Sequence, residues 1–185
     1  MNNESLLNIL RKRLSAARLG HSLCVANSAV LLARHYGADE KKARFAGLAH
    51  DICKCGGVEE MSALYSPRLD CELGNKKLLH APAGAVLLQN LGVSDEEILN
   101  AVRYHTTGRA NMSLLEKIVF TADLISTDRD YRDLNAVREL AFCGIDAAMV
   151  YILNYVIAKL RSENLAVHPN SLECRQALEN LGYNV

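Results

Sequence analysis

Six side chains interrupt apolar stretches of this 185-residue sequence: His21, His50, Asp51, His80, His105 and Asp123. They stand in "LGHSL", "AHDICK", "LLHAP", "RYHTTG" and "TADLI". A carboxylate bound for a core is costly unless a partner or a metal holds it. Four imidazoles and two carboxylates make a mixed donor set that suits iron, manganese, zinc, cobalt or nickel better than calcium or magnesium. Six ligands exceed what one catalytic ion uses while keeping positions open for water and substrate. They fit two ions roughly 3.5–4 Å apart, as in two-metal hydrolases. Asp51 has two oxygens and can bridge such a pair. Lys54 follows His50 by four residues and Asp51 by three, so it shares their side of a continuing helix. A cation there would neutralise charge on a phosphoryl oxygen.

Taken singly these residues are ordinary. A loop-end histidine such as His80 is commonplace, and a lone Asp123 is as readily a hydrogen-bonded core residue. The metal reading comes from the joint pattern. His35, in "ARHYG", reads as a helix-end cation favoured by the dipole, and His168, before Pro169, as a turn residue. Cys55 is a soft donor beside a hard set that is already complete.

Bringing six donors to one spot requires several converging elements. Helical periodicity dominates and strand-like alternation is scarce. The pattern predicts helices near 4–16, 19–36, 39–52, 57–65, 82–91, 94–105, 113–126, 132–141, 143–162 and 171–181. Gly37 ends the second. Pro82 suits a first helical turn, with His80 just before it. Ser94, followed by three acidic residues, reads as an N-cap. The stretch 66–80 is the least regular and reads as a loop over a pocket. The expected fold is all-α, a single domain over 1–185 with a metal-site core at about 18–131 and C-terminal helices over 132–185.

Lysine plus arginine equals aspartate plus glutamate, 21 each. That balance gives no large positive field for nucleic acid, although a local basic pocket is compatible with it. The first residues carry charges where a signal peptide needs its apolar centre. The apolar segment "IDAAMVYILNYVIAKL" is short, carries Asp146, Asn154 and Lys159, and reads as a buried helix rather than a membrane span. A cytoplasmic protein is expected. Six cysteines without a CxxC pair read as reduced, mostly buried thiols. A chain this apolar suggests a homodimer.

The set "His…His-Asp…Asp" at His21, "AHDICK" and "TAD" resembles the HD-domain metal-dependent phosphohydrolases, which have a helical-bundle fold. The blocks "RLGHSLCVA", "HDICK", "LLHAPAGA", "YHTTG" and "KIVFTADLISTDRDY" resemble the YqeK-type branch, the symmetrical diadenosine-tetraphosphate hydrolases. That resemblance implies two divalent ions, iron first among them, and cleavage of diadenosine tetraphosphate (Ap4A) into two ADP by a hydroxide generated on the ions. It implies that His21, His50, Asp51 and Asp123 hold one ion. His80 and His105 would hold the second, with Asp51 bridging and acting in catalysis with Lys54. Lys54 would contact phosphate, and Arg18 would orient the site or do the same. Thr106, Thr107, Gly108 and Arg129 would line the substrate pocket. One stretch departs from the branch: "ADLISTDR" stands where it reads close to "ADYIEPGR". Other readings are an HD phosphohydrolase acting on mononucleotides or (p)ppGpp, and a nucleotide-binding regulatory module whose metal is structural. A mononuclear enzyme would not need His80 and His105.

Overall fold

The computed structural model describes residues 1–183. Among them are ten α-helices, one short 3-10 turn at Asp70–Glu72 and no strand. The inner bundle is α2 (Ala16–Tyr36), α3 (Glu40–Ala49), α5 (Lys76–Asn90), α6 (Glu96–Tyr104) and α7 (Leu114–Ile125). Within it α2 packs on α3 and α7, and α6 packs on α3, α5 and α7. Helix α1 (Asn3–Arg13) lies on α3, and α4 (Val58–Leu64) on α5. Helices α8 (Leu134–Cys143), α9 (Ile145–Ser162) and α10 (Pro169–Asn180) close the other side, with α9 against α7.

Local chemistry sets most helix ends. Ser15 accepts the Arg18 N–H at the start of α2, and Asp39 accepts those of Lys41 and Lys42 at α3. Each such cap supplies a partner for an otherwise orphaned amide. Gly37 closes α2 with φ 70°, as expected.

The pairing of α2 with α3 brings His21 near His50, and it rests on small residues. Ala26, Ala29, Ala33, Ala43 and Ala46 are fully buried. A Cβ on Gly47 would stand 2.9 Å from Ala26 Cα and 3.3 Å from Ala29 Cβ. Only a glycine lets the two backbones come this close. Helix α2 also has the length and apolar composition of a membrane span (21 residues, mean hydropathy 1.2). Its buried face is spent on α3 and α7.

Several boundaries differ from expectation. Helix α5 begins at Lys76, six residues before Pro82, so His80 lies inside a helix. Asn75 starts it by accepting the Lys77 N–H at 3.1 Å. The region 66–80 is therefore irregular only as far as Asn75, and it does border a cavity of about 440 Å³. The N-cap of α6 is Asp95 rather than Ser94, because its carboxylate reaches the N–H groups of Glu97 and Ile98. Helix α3 stops at Ala49. His50 and Asp51 stand in tight turns closed by Ile52 N–H to Ala49 O and Lys54 N–H to Asp51 O. Helix α9 is buried on one side only, since Tyr155 is 53% exposed. Only Cys53 and Cys174 of the six free thiols are buried, while Cys55 and Cys143 are exposed.

Two outcomes follow. Gly47→Ala should destabilise the fold by about 1–3 kcal/mol through overpacking, read as a lower midpoint in urea unfolding. Burial pushes the Cys53 and Cys174 thiols up to about 11. An alkylating reagent at neutral pH should therefore label Cys55 and Cys143 in the native protein, and Cys53 and Cys174 only after unfolding.

Candidate active site

All six expected donors converge. His21 comes from the second turn of α2, His50 and Asp51 from the turn after α3, His80 from α5, His105 from the end of α6 and Asp123 from α7. One ligand atom each from His21, His50 and Asp123 lies within 4.8 Å of the others, and so for His50, Asp51 and His105. His80 Nε2 is 3.1 Å from Asp51 Oδ1 and 3.1 Å from His105 Nε2. Except for Asp123, the donors are 5% exposed or less.

The imidazole tautomers follow from backbone contacts. His50 Nδ1 donates to Gly47 O at 2.7 Å, His80 Nδ1 to Lys76 O at 3.1 Å and His105 Nδ1 to Val102 O at 2.7 Å. In each neutral ring the proton then sits on Nδ1 and the lone pair on Nε2 faces the cluster. His80 and His105 consequently turn two lone pairs on each other. His50 Nε2 is buried without a hydrogen-bond partner. Inward lone pairs, outer nitrogens tied to carbonyls and an orphaned buried nitrogen are what a metal-binding histidine set presents. The residues fit divalent cations.

Charges around the cluster are strongly perturbed. Burial opposes ionisation of Asp51, but His50, His105 and His80 hold its carboxyl far below the usual range. Asp123 is likewise held low, against burial, by His21 and then by His50 and Arg129. Burial pushes His80 down to about 4, against the pull of Asp51, so its ring is neutral at neutral pH. Burial also lowers Lys54.

The remaining expected residues divide into two groups. Arg18 Nη1 holds Asp51 Oδ2 at 2.8 Å, and Arg129 grips Asp123 through both its carboxylate and its carbonyl. Lys54 Nζ lies 3.2 Å from His80 Nε2 and 3.7 Å from Asp51 Oδ1. Thr106 Oγ1 lies 3.2 Å from His105 Nε2. Arg18, Lys54 and Arg129 also line a groove of about 1150 Å³, to which His21 contributes. Thr107 and Gly108 are turned elsewhere. Thr107 lines the separate 440 Å³ cavity, and its carbonyl accepts Ser171 Oγ at 2.9 Å. Gly108 is packed under Cys174 and Met112.

Asp128 belongs to the site and does not stand out in the sequence as a ligand. His21 Nδ1 donates to Asp128 Oδ2 at 2.7 Å, while Ser126 Oγ donates to Asp128 Oδ1 at 2.7 Å. The signal was the "STD" departure itself, which puts a carboxylate five residues after Asp123. Histidine ligands commonly use such a carboxylate to fix their tautomer and raise their basicity. Asp128→Ala should weaken Mn(II) binding by about 10- to 100-fold in titration calorimetry. Unchanged affinity would show that His21 needs no such support.

Residues 18–128 match the HD domain family. The chain is 38% identical to the symmetrical bis(5'-nucleosyl)-tetraphosphatase of Halalkalibacterium halodurans, over 93% of this chain and 94% of that one. It is also 38% identical to the protein of the same name in Bacillus subtilis, over 92% and 94%. A crystal structure described as a predicted HD superfamily hydrolase involved in NAD metabolism, from Clostridium acetobutylicum, superposes with a TM-score of 0.94. Identity is 34%, and each chain is 98% covered. With this donor set and these relatives spanning nearly its whole length, the chain belongs to the HD domain family of divalent-metal hydrolases.

Proposed function

We propose that this protein hydrolyses Ap4A symmetrically to two ADP with two divalent ions, iron being the resident metal and manganese, cobalt, nickel or zinc able to take its place. The observation that carries the reading is the cluster of four imidazoles and two carboxylates beside a groove to which Arg18, Lys54 and Arg129 contribute. The tetraphosphatase names of relatives 38% identical to the chain support the substrate. In this reading His21, His50, Asp51 and Asp123 would hold one ion, and His80 and His105, with Asp51, the other.

Divalent ions bound there supply a water-derived nucleophile at neutral pH and neutralise phosphoryl charge. The protein does the rest. Arg18 fixes the Asp51 carboxylate, so that donor is ordered before substrate arrives. Arg129 does the same for Asp123. Lys54, partly buried beside Asp51, offers its ammonium to a non-bridging phosphoryl oxygen, where a preorganised cation lowers the barrier. Thr106 contributes a hydroxyl at the His80–His105 side. Water oxygen bonds to the phosphorus next to the central bridge, and the bridging P–O bond breaks. One ADP gains the water oxygen, the other leaves with the bridging oxygen, and the two protons of the water go to the new terminal phosphates or to solvent. Thr107 and Gly108 act in this scheme by shaping the loop after His105. The reading carries with it a cytoplasmic enzyme working on a small nucleotide, in keeping with a net charge of zero.

The test is chromatography of Ap4A products from enzyme loaded anaerobically with Fe(II). ADP as sole product is expected, and Asp51→Asn should abolish turnover. ATP plus AMP would move the site of attack. Turnover only of mononucleotides or (p)ppGpp would replace the substrate. Metal binding at one ion per chain would remove the two-ion arrangement, and bound metal with no turnover of any of these would leave a binding module.

A further inference from the structure

The groove beside the cluster is larger than one nucleoside phosphate requires. Small-ligand pockets run to about 300–1,000 Å³, and this groove reaches about 1150 Å³. It continues past His21, Asp128 and Arg129 to Tyr131, and then along α9 past Tyr151, Tyr155 and Lys159. The last three are spaced four residues apart, so they form one stripe on the helix. The rings of Tyr131 and Tyr155 are close to parallel, 21° between planes with centroids 6.2 Å apart. Tyr155 is 53% exposed, a large aromatic face left open on a helix whose other side is buried core. Lys159 and Lys77, both exposed, border the same groove.

We propose that one nucleoside end of the dinucleotide docks in this groove, its base stacking on the Tyr131–Tyr155 pair and its phosphates running past Lys77 and Lys159 toward Lys54. The inference rests on the Ap4A reading and assigns a place to the half of the substrate that the metal cluster does not hold. Tyr131 follows Arg129 by two residues, so the stretch that anchors Asp123 also sets one ring of the platform. Stacking on an aromatic face is tolerant of base identity, because every base has a π-face. The subsite therefore accepts guanine as well as adenine, and Gp4G is a substrate alongside Ap4A.

The experiment compares kcat/KM for Ap4A with that for adenosine 5'-tetraphosphate, which lacks the second nucleoside, on the metal-loaded full chain. Wild-type enzyme should prefer Ap4A. Tyr155→Ala should lower the ratio of the two about tenfold, through KM for Ap4A, as expected for loss of one stacking partner. Tyr155→Phe should retain the ratio, since stacking does not use the hydroxyl. Circular dichroism melting checks that the variant is folded. A folded Tyr155→Ala enzyme with an unchanged ratio overturns the subsite while leaving Ap4A hydrolysis intact. A wild-type enzyme that does not cleave Ap4A overturns the reading beneath it and the subsite together.

Discussion

The Asp51 carboxylate, 2% exposed, ties the two sides of the donor cluster together. One oxygen faces Arg18 and His50, and the other faces His80 and His105. A buried carboxylate without such neighbours would be desolvated at a cost of several kcal/mol. Arg18, with Lys54 nearby, supplies the positive charge that keeps it ionised, and the Nε2 atoms of the neighbouring imidazoles are aimed at it. Each partner comes from a different part of the chain: α2, the turn after α3, α5 and the end of α6. The bundle is therefore built around one charge, and the packing that surrounds it is what allows the charge to stay dry.

That packing works by bringing helix ends together. His50 and His105 stand at the C-terminal ends of α3 and α6, where free carbonyls are available as partners for Nδ1. The Arg109–Glu116 pair, at 2.7 and 2.9 Å, and the capping box of Ser113 with Glu116 fix the chain that leaves His105 and enters α7. Asp123 is thereby carried into the third turn of a helix whose start is already anchored. The close approach at Gly47 does the corresponding task between α2 and α3.

The ten helices and the six donors were legible because both are written in local pattern: periodic apolar residues, and polar side chains that interrupt them. What the pattern hid were effects of tertiary context. Pro82 reads as a helix start because its missing N–H is harmless there, yet the Asn75 cap begins α5 earlier and carries the proline inside. Thr107 and Gly108 lie next to His105 in sequence, but the turn after α6 directs them toward α10. Asp128 was visible only as a break in a family pattern, since its partner His21 is 107 residues away. The open stripe of α9 could not be read from composition, because Tyr155 and Lys159 sit among residues that would pack equally well in a core.

The Nδ1 contacts also bear on how such a centre can change over generations. Three of the four histidines are oriented by carbonyls of their own helices, at Gly47, Lys76 and Val102. A main-chain oxygen cannot be removed by any codon change, so those three rings are insulated from mutation nearby. His21 alone leans on a side chain, Asp128. Among the imidazoles, then, only the one on α2 depends for its orientation on a side chain that substitution can remove.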